Sequence, residues 1–422
     1  MQRQNYLVRC CKLNINNKIV RKFSLNATAS LPTQSWGVFP REKEGNLYAV
    51  NWSLNVDGVT PVGAAYRNAR IGLLTSRLSS KVDSKGKVEL AKPVYSGLYT
   101  VKEAGDTVSQ DAFDSMLTER QQYLSSGVDL FVEDASLGAY SPSRIGARII
   151  SDKPALSLIA RALMIPSPSR PTDHRARFNG WNKEPRWLQP EITWNGSTYD
   201  VVDIPTVDKK GERPIVAFVG GAGSDIAVQF VQSNKKIVGA NVIAGESAPV
   251  RGLIAAVGEA ACVLINAQSA TSIAVPSIAL TKGNDTIVVI NGDDSLATSA
   301  AQKKTLYGAY HNVLSTNGVS ALWNGYIGAT STNGSLPTVV VGGQAAVALE
   351  PNNLAFPSKE IYFFEEGATK GKLTEEEAIK KLVDITDESK KEVAGSILKG
   401  ANIYVTGSTS DILESLLDWE NK

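Results

Sequence analysis

The sequence predicts an α/β protein long enough for two or three domains, and two stretches carry that expectation. Ser109–Ser167 reads helix, strand, loop, strand, helix. From Lys236 to Val347, apolar strands alternate with small-residue turns and with two helical candidates. No fixed repeat is visible along the chain.

Within the first stretch, Phe113, Met116, Leu117 and Leu124 recur near helical spacing, Gln110, Asp111 and Asp114 put polar groups at the start, and Gly127 stops the helix. Leu130-Phe131-Val132 follows as a short buried strand. A Gly/Ser/Pro loop, a strand at Arg148-Ile149-Ile150 and a helix from Ala155 to Met164 complete the unit. Pro166 to Pro190 is dense in Pro, Arg and Trp. There Arg170, Arg175, Arg177 and Arg186 interleave with Phe178, Trp181 and Trp187, a mixture suited to stacking bases and neutralising phosphates. Asp173 and Glu184 break that positive field and favour a linker whose tryptophans cover a domain edge. Glu191 to Val202 reads as a hairpin around Asn195-Gly196.

The second domain is expected from residue 213. Pro214 to Val219 is a buried strand, followed by Gly220-Gly221-Ala222-Gly223-Ser224, where a phosphate loop would aim backbone N–H groups at an anion. A Walker loop needs Gly-Lys-Ser/Thr after its glycines. Gly223-Ser224-Asp225 offers a carboxylate instead, so a plain tight turn is the competing reading. Further strands are expected at Ile237-Val238, Ala261 to Ile265, Ile273 to Leu280, Thr286 to Ile290 and Thr338 to Val341, with helices at Val250 to Val257 and Ser299 to Leu314. Asn291-Gly292-Asp293-Asp294 reads either as an acidic metal pair or as turn chemistry. Toward the C-terminus come a strand at Ile361 to Phe364, a Thr374/Glu377 capping box opening a helix to about Asp384, and a helix around Ser389 to Leu398. A strand at Ile403-Tyr404-Val405 and a helix capped by Ser408 or Thr409 follow.

Composition sets bounds on function. The 422 residues are 43% hydrophobic and 20% charged, an ordinary globular mixture. A net charge of +2 argues against a protein built to hold nucleic acid. No apolar run reaches the length of a membrane span, since Ile254 to Ile265 is interrupted by Gly258 and Glu259. Cys10, Cys11 and Cys262 are too few and too badly spaced for a disulfide framework or a zinc site. The first 40 residues hold no Asp or Glu, while Arg3, Arg9, Lys12, Lys18, Arg21 and Lys22 supply positive charge, which predicts a mitochondrial transit peptide and a matrix location.

Leu130, Phe131, Val132, Asp134, Gly138, Arg144, Arg148, Ile149, Ile150, Ser151, Ile165 and Pro166 together resemble the N-terminal domain of ATP-dependent phosphoenolpyruvate carboxykinase. In that family a helix leads into an LFV-D-x-x-x-G strand and loop, then a VR-I/F-I-T/S strand and a helix ending in N-x-F/L-I-x-P. Thr75 to Lys81 is similar to the family's TGRSPKDK loop, which makes Arg77 the counterpart of its substrate arginine. The opening Asn51-Trp52-Ser53-Leu54, with Gly58-Val59 and Ala65-Tyr66-Arg67-Asn68, is similar as well.

The resemblance covers roughly Gly72 to Pro168 and implies a mixed-sheet, two-domain architecture. On that frame residues 1–24 are the transit peptide, 25–70 an N-terminal arm, 71–168 the carboxykinase-like N-terminal α/β domain, 169–212 the Pro/Arg/Trp linker and hairpin, and 213–422 the C-terminal mixed α/β domain. Arg77, Arg144 and Arg148, with Gly220, Gly221, Gly223 and Ser224, are the candidate anion-binding residues. Trp36, Trp52, Trp181 and Trp187 are the candidate partner contacts. The family's Gly-Glu-Met-Lys-Lys stretch, Gly-Lys-Thr loop and manganese histidine have no counterpart, because His174 lies in the linker and His311 in an expected helix. The expectation is therefore a catalytically degenerate carboxykinase-like protein, without cofactor or metal, kept for binding or scaffolding. One alternative is an active enzyme using ATP with Mn²⁺ or Mg²⁺ at a rebuilt site. The other is an accessory subunit of a large mitochondrial assembly.

Overall fold

The computed structural model describes residues 54, 57–69, 71–77, 110–138, 143–166, 215–233, 236–248, 250–282, 285–328 and 360–418, with short strands at 42–43, 81–82, 88–89, 192–194, 197–199, 339–341 and 344–348. It is a mixed α/β protein with two large sheets. In the first, the strands lie in the order β1 (Glu42–Lys43), β2 (Ala65–Arg67), β5 (Leu130–Leu137), β6 (Ile145–Ser151), β10 (Ile215–Val219), β12 (Lys236–Ala244) and β11 (Ile226–Ser233), with β7 (Ile165–Pro166) on β5. β2 and β5 are parallel, β6 turns back antiparallel to β5, and β10 and β12 run parallel to β6. Every residue of β10 is buried, as a strand covered on both faces requires.

One face is covered by α2 (Gln110–Leu124), whose Phe113, Leu117 and Leu124 pack on Leu130, Val132, Ile150 and Phe218. On the other lie α1 (Ile71–Ser76), α3 (Pro154–Leu163) and α4 (Val250–Gln268). Pro154 at the first position of α3 costs no hydrogen bond, since that amide has no partner inside a helix. Because β10, β11 and β12 belong to this sheet, a domain boundary at 213 would cut through it. The sheet closes at Ala244, and the next one begins with Ser272.

The second sheet runs β17 (Gly318–Ala321), β16 (His311–Ser315), β13 (Ser272–Lys282), β14 (Asp285–Ile290), β21 (Glu360–Phe364), β23 (Asn402–Thr406) and β22 (Gly371–Lys372), with β15 (Leu306–Gly308) on β13. β14, β21 and β23 are parallel. Around them lie α5 (Asp294–Gln302), α6 (Glu375–Ile385), α7 (Lys391–Leu398) and α8 (Thr409–Asp418). A smaller sheet joins β18 (Gly325–Gly328), β20 (Gln344–Ala348), β19 (Val339–Val341), β4 (Val88–Glu89) and β3 (Lys81–Val82), and β8 (Ile192–Trp194) pairs with β9 (Ser197–Tyr199) as the expected hairpin.

Two expected elements change type. Ala261 to Ile265 is the second half of α4 rather than a strand, because the helix continues through Gly258, which a buried helix tolerates. α4 packs on β11 and β12 on one side and on β13 and β16 on the other, so it is apolar nearly all round. It is the one described helix with the length and hydropathy of a membrane span, and it is mostly buried between the sheets. The helix expected over Ser299 to Leu314 stops at Gln302, because Lys304 and Tyr310 take left-handed backbone angles and the chain turns into β15 and β16. His311 therefore lies in a strand, buried, with its Nδ1 accepting from Trp323 Nε1 at 3.2 Å.

Several charged groups are buried against counter-charges or carbonyls. Arg148, 2% exposed, donates to Asp57 at 2.7 Å and to both carboxylate oxygens of Asp134 at 2.7 and 2.9 Å, and Arg67 joins Asp134 at 2.7 Å. Burial alone would lower the Arg148 pKa, but Asp134 and Asp57 more than reverse that and hold it raised. Glu133 is gripped at two points by Arg161, at 3.0 Å each. Lys390 Nζ donates to the Ser269 carbonyl just beyond α4 and to that of Ser272 at 3.4 Å, tying the C-terminal helices to the root of β13. Burial lowers its pKa.

Replacing Arg148 by Leu leaves Asp57 and Asp134 without their buried counter-charge, and a loss of about 3–5 kcal/mol is expected in urea denaturation. A loss below about 1 kcal/mol would show that the two carboxylates reach water or protons by another route. Burial pushes the Glu133 carboxyl from 4.5 up to about 8 against the pull of Arg161. The folded protein thus keeps a proton that the unfolded chain releases, so this stabilisation is complete below 4.5 and is lost as pH rises through about 8. Glu133→Gln should flatten the fall in urea midpoint over that window. Parallel pH profiles for the two proteins would contradict the assignment.

Candidate functional site

The three candidate arginines are held by three different sets of partners. Arg77, half exposed, donates to Asp129 at 3.1 Å and to the Tyr66 hydroxyl at 2.9 Å, with its guanidinium over the Tyr66 ring. Arg144 donates to the Gly138 carbonyl at 3.2 Å, closing the loop between β5 and β6. Arg148 is committed to Asp57 and Asp134 in the core. The glycine loop is not near Arg144: it follows β10, whose last residue Val219 is level with Ser151 at the far end of β6. Arg144 precedes the first residue of that seven-residue strand, roughly 20 Å away at about 3.3 Å per residue. These arginines and the loop therefore do not form one pocket. Trp36, Trp52, Trp181 and Trp187, and residues 1–24, lie outside the described residues.

The glycine loop itself stands at the carboxyl ends of β6, β10 and β12, where Ser151, Val219 and Ala244 are level in three adjacent parallel strands. That edge is where open α/β sheets receive ligands. The N-termini of α3 and α4 open onto the chain just after β6 and β12. Loop and β12 are stitched together by Gly220 N–H to the Ala244 carbonyl at 3.1 Å, Glu246 N–H to the Gly221 carbonyl at 2.8 Å and Ser247 N–H to the Gly223 carbonyl at 3.0 Å. Beside it, Asp152 Oδ2 accepts from the Tyr123 hydroxyl at 2.9 Å and pairs with Lys153 at 3.0 Å, and Lys153 reaches Glu246 at 3.4 Å. Burial, then the hydrogen bond to Asp152, raises the Tyr123 pKa. Lys153 is also raised: burial opposes its charge, but Asp152 and Glu246 outweigh it.

Arg120, which no sequence motif marks as a site residue, lies under this loop. Its signal was its place in the helical stripe: Phe113, Leu117, Arg120 and Leu124 follow a four-three-four spacing, so an arginine occupies a position on the buried face of α2.

A second strand end also leads through a turn into a helix N-terminus. β14 stops at Ile290, the chain turns through Asn291 in a left-handed conformation and Gly292, and α5 begins. Asp293 caps α5: its carboxylate accepts from Leu296 N–H at 2.9 Å and from Ser295 Oγ. Of the two readings of this stretch, the structure shows the turn, with Asn291 in its left-handed conformation, and Asp293 caps the helix that follows, a role neither reading assigned. Among the described residues no group of three or more His, Cys, Asp or Glu is gathered as metal ligands. A small apolar cavity of about 20 Å³ lies between α3, α4 and Trp323, and its lining of Ile149, Leu156, Leu163 and Ile254 offers no polar partner to hold a water.

Asp293→Ala should cost about 1 kcal/mol by freeing the α5 amides, a loss read as a lower urea midpoint. An unchanged midpoint would mean that the cap is idle. No protein-family model matches this chain, and none of the curated proteins matches it.

Proposed function

We propose that this chain is a catalytically silent, carboxykinase-like protein of the mitochondrial matrix that works by binding, as a scaffold or assembly component. The observation that carries this reading is the closed end of α5. A phosphoryl-transfer site at a strand end needs open helix amides and a lysine to neutralise phosphate. The end of β14 holds instead a carboxylate that already accepts from one of those amides, Leu296 N–H, and sets a negative charge beside the others. A nucleotide phosphate placed there would meet Asp293 at close range and would have to displace it. The state of the family-like arginines supports the same reading, since Arg77 and Arg148 spend their guanidinium groups on Asp129, Asp57 and Asp134. The matrix location rests on the acid-free, basic first 40 residues, and the partner role on the tryptophans at 36, 52, 181 and 187.

The test is calorimetric titration of the chain with ATP in the presence of Mn²⁺. No saturable, Mn²⁺-dependent heat is expected. A dissociation constant below about 1 mM that vanishes without Mn²⁺ would replace this reading with that of an active, nucleotide-using enzyme. In a mitochondrial extract the native protein is expected to migrate far above monomer size, and migration as a monomer would remove the assembly role.

A further inference from the structure

We propose that Arg120 and the glycine loop at 220–224 form a binding site for a small oxyanion carrying an adjacent hydrogen-bond donor, either an α-hydroxycarboxylate or dihydrogen phosphate. Four observations converge on it. Arg120 is 4% exposed, and its Nε and Nη1 have no hydrogen-bond partner. Its ion pair among the described residues is with Glu119, its exposed sequence neighbour, at 3.8 Å, too long for a hydrogen bond. A buried guanidinium left in this state is costly, and an anion seated on it removes the cost.

The loop is shaped around that guanidinium. A Cβ on Gly221 would lie 2.7 Å from Arg120 Nη1 and one on Gly223 would lie 3.5 Å from Nη2, so the backbone rests on the arginine where side chains would intrude. Both glycines have left-handed φ values, 70° and 108°, which other residues rarely adopt. Among the described residues nothing accepts from the amides of Gly221, Ala222, Gly223 or Ser224. Successive free amides in such a turn form an anion-binding concavity.

The third observation is a second orphan of opposite character. Asp152, whose side chain is 9% exposed, has Oδ2 bonded to Tyr123 and Lys153, but its buried Oδ1 has no partner and lies 3.3 Å from the Cβ position of Gly220. An unmatched acceptor beside unmatched donors calls for a ligand with a hydroxyl next to its charged oxygens. Location is the fourth: the site stands outside the carboxyl ends of β6, β10 and β12. The facing acids, Asp225, Glu246 and Glu119, disfavour a multiply charged ligand and select a monoanion. Asp225 Oδ2 lies 3.2 Å from the Cβ position of Gly223, close enough to compete for the same arginine when the site is empty.

The experiment is thermal-shift and calorimetric titration of the full chain with glycolate, with inorganic phosphate, and with acetate, which lacks the hydroxyl, all without metal or nucleotide. Glycolate or phosphate should bind saturably and acetate at least about tenfold more weakly, the worth of one hydrogen bond to a charged group. Saturation by glycolate alone identifies the carboxylate source, and saturation by phosphate alone the phosphate source. Arg120→Met should abolish binding, while Asp225→Asn should tighten it by removing the competing charge. In ligand-free buffer Arg120→Met should be at least as stable as the parent, with the order reversed at saturating ligand. Failure of both glycolate and phosphate to bind the parent protein overturns the proposal. So does a ligand-free Arg120→Met that is markedly less stable, since the arginine would then be serving the fold alone.

Discussion

Both large sheets of this protein bury themselves on one helix. α4 lies between β11–β12 and β13–β16 and is mostly buried, which is why Val250 to Gln268 carries almost no charge and why Cys262 is a buried thiol whose pKa burial raises. The consequence reaches both ends of the helix. Its N-terminus must follow directly from β12, which fixes the Gly245–Ala248 turn against the glycine loop. Its C-terminus must feed β13, and there the Ser269 and Ser272 carbonyls are gathered by Lys390 from the C-terminal helices. A single apolar element therefore sets the spacing between the layers and the positions of the loops at their edges.

Against that apolar frame the buried ions serve geometry more than stability. Arg148 joins Asp57, ahead of β2, to Asp134 on β5 from the middle of β6, so three stretches far apart in sequence are held in one register. Such a network is weak as a source of net free energy, since desolvation offsets most of the attraction, but it is strict about partners. It also explains why an arginine that resembles a family feature need not be available to a substrate. The charge is present in the sequence, and the fold has already spent it.

Local signals in the sequence survived into the structure, and non-local ones were where the reading failed. The Thr374/Glu377 capping box, the α2 stripe, β5, β6 and α3 all follow from neighbours within a few residues. Ala261 to Ile265 could not be assigned this way, because an apolar run of five reads alike as a buried strand or as a turn and a half of a helix buried on all sides. Nor could the membership of β10 in the first sheet, which is decided by its pairing with β6 and β12 rather than by anything between Arg213 and Val219. Arg120 is the instructive case. Its spacing placed it on the buried face, yet a list of apolar residues passes over it, and only the backbone of a loop a hundred residues away shows what it faces.

The two strand ends that resemble anion sites differ in one physical respect. At β14 a carboxylate of the same chain caps the helix at Leu296 N–H, and a phosphate would have to displace Asp293. At β10 the loop amides, the Arg120 Nε and Nη1 and Asp152 Oδ1 are left unmet, while in the neighbouring Asp152–Lys153–Glu246 chain one lysine is shared between two carboxylates. Folding tolerates unmatched buried polar groups only where something else accounts for them. On the proposals above, the chain closes the strand end at β14 with its own carboxylate and leaves the one at β10 open, so an anion is expected at β10 and not at β14.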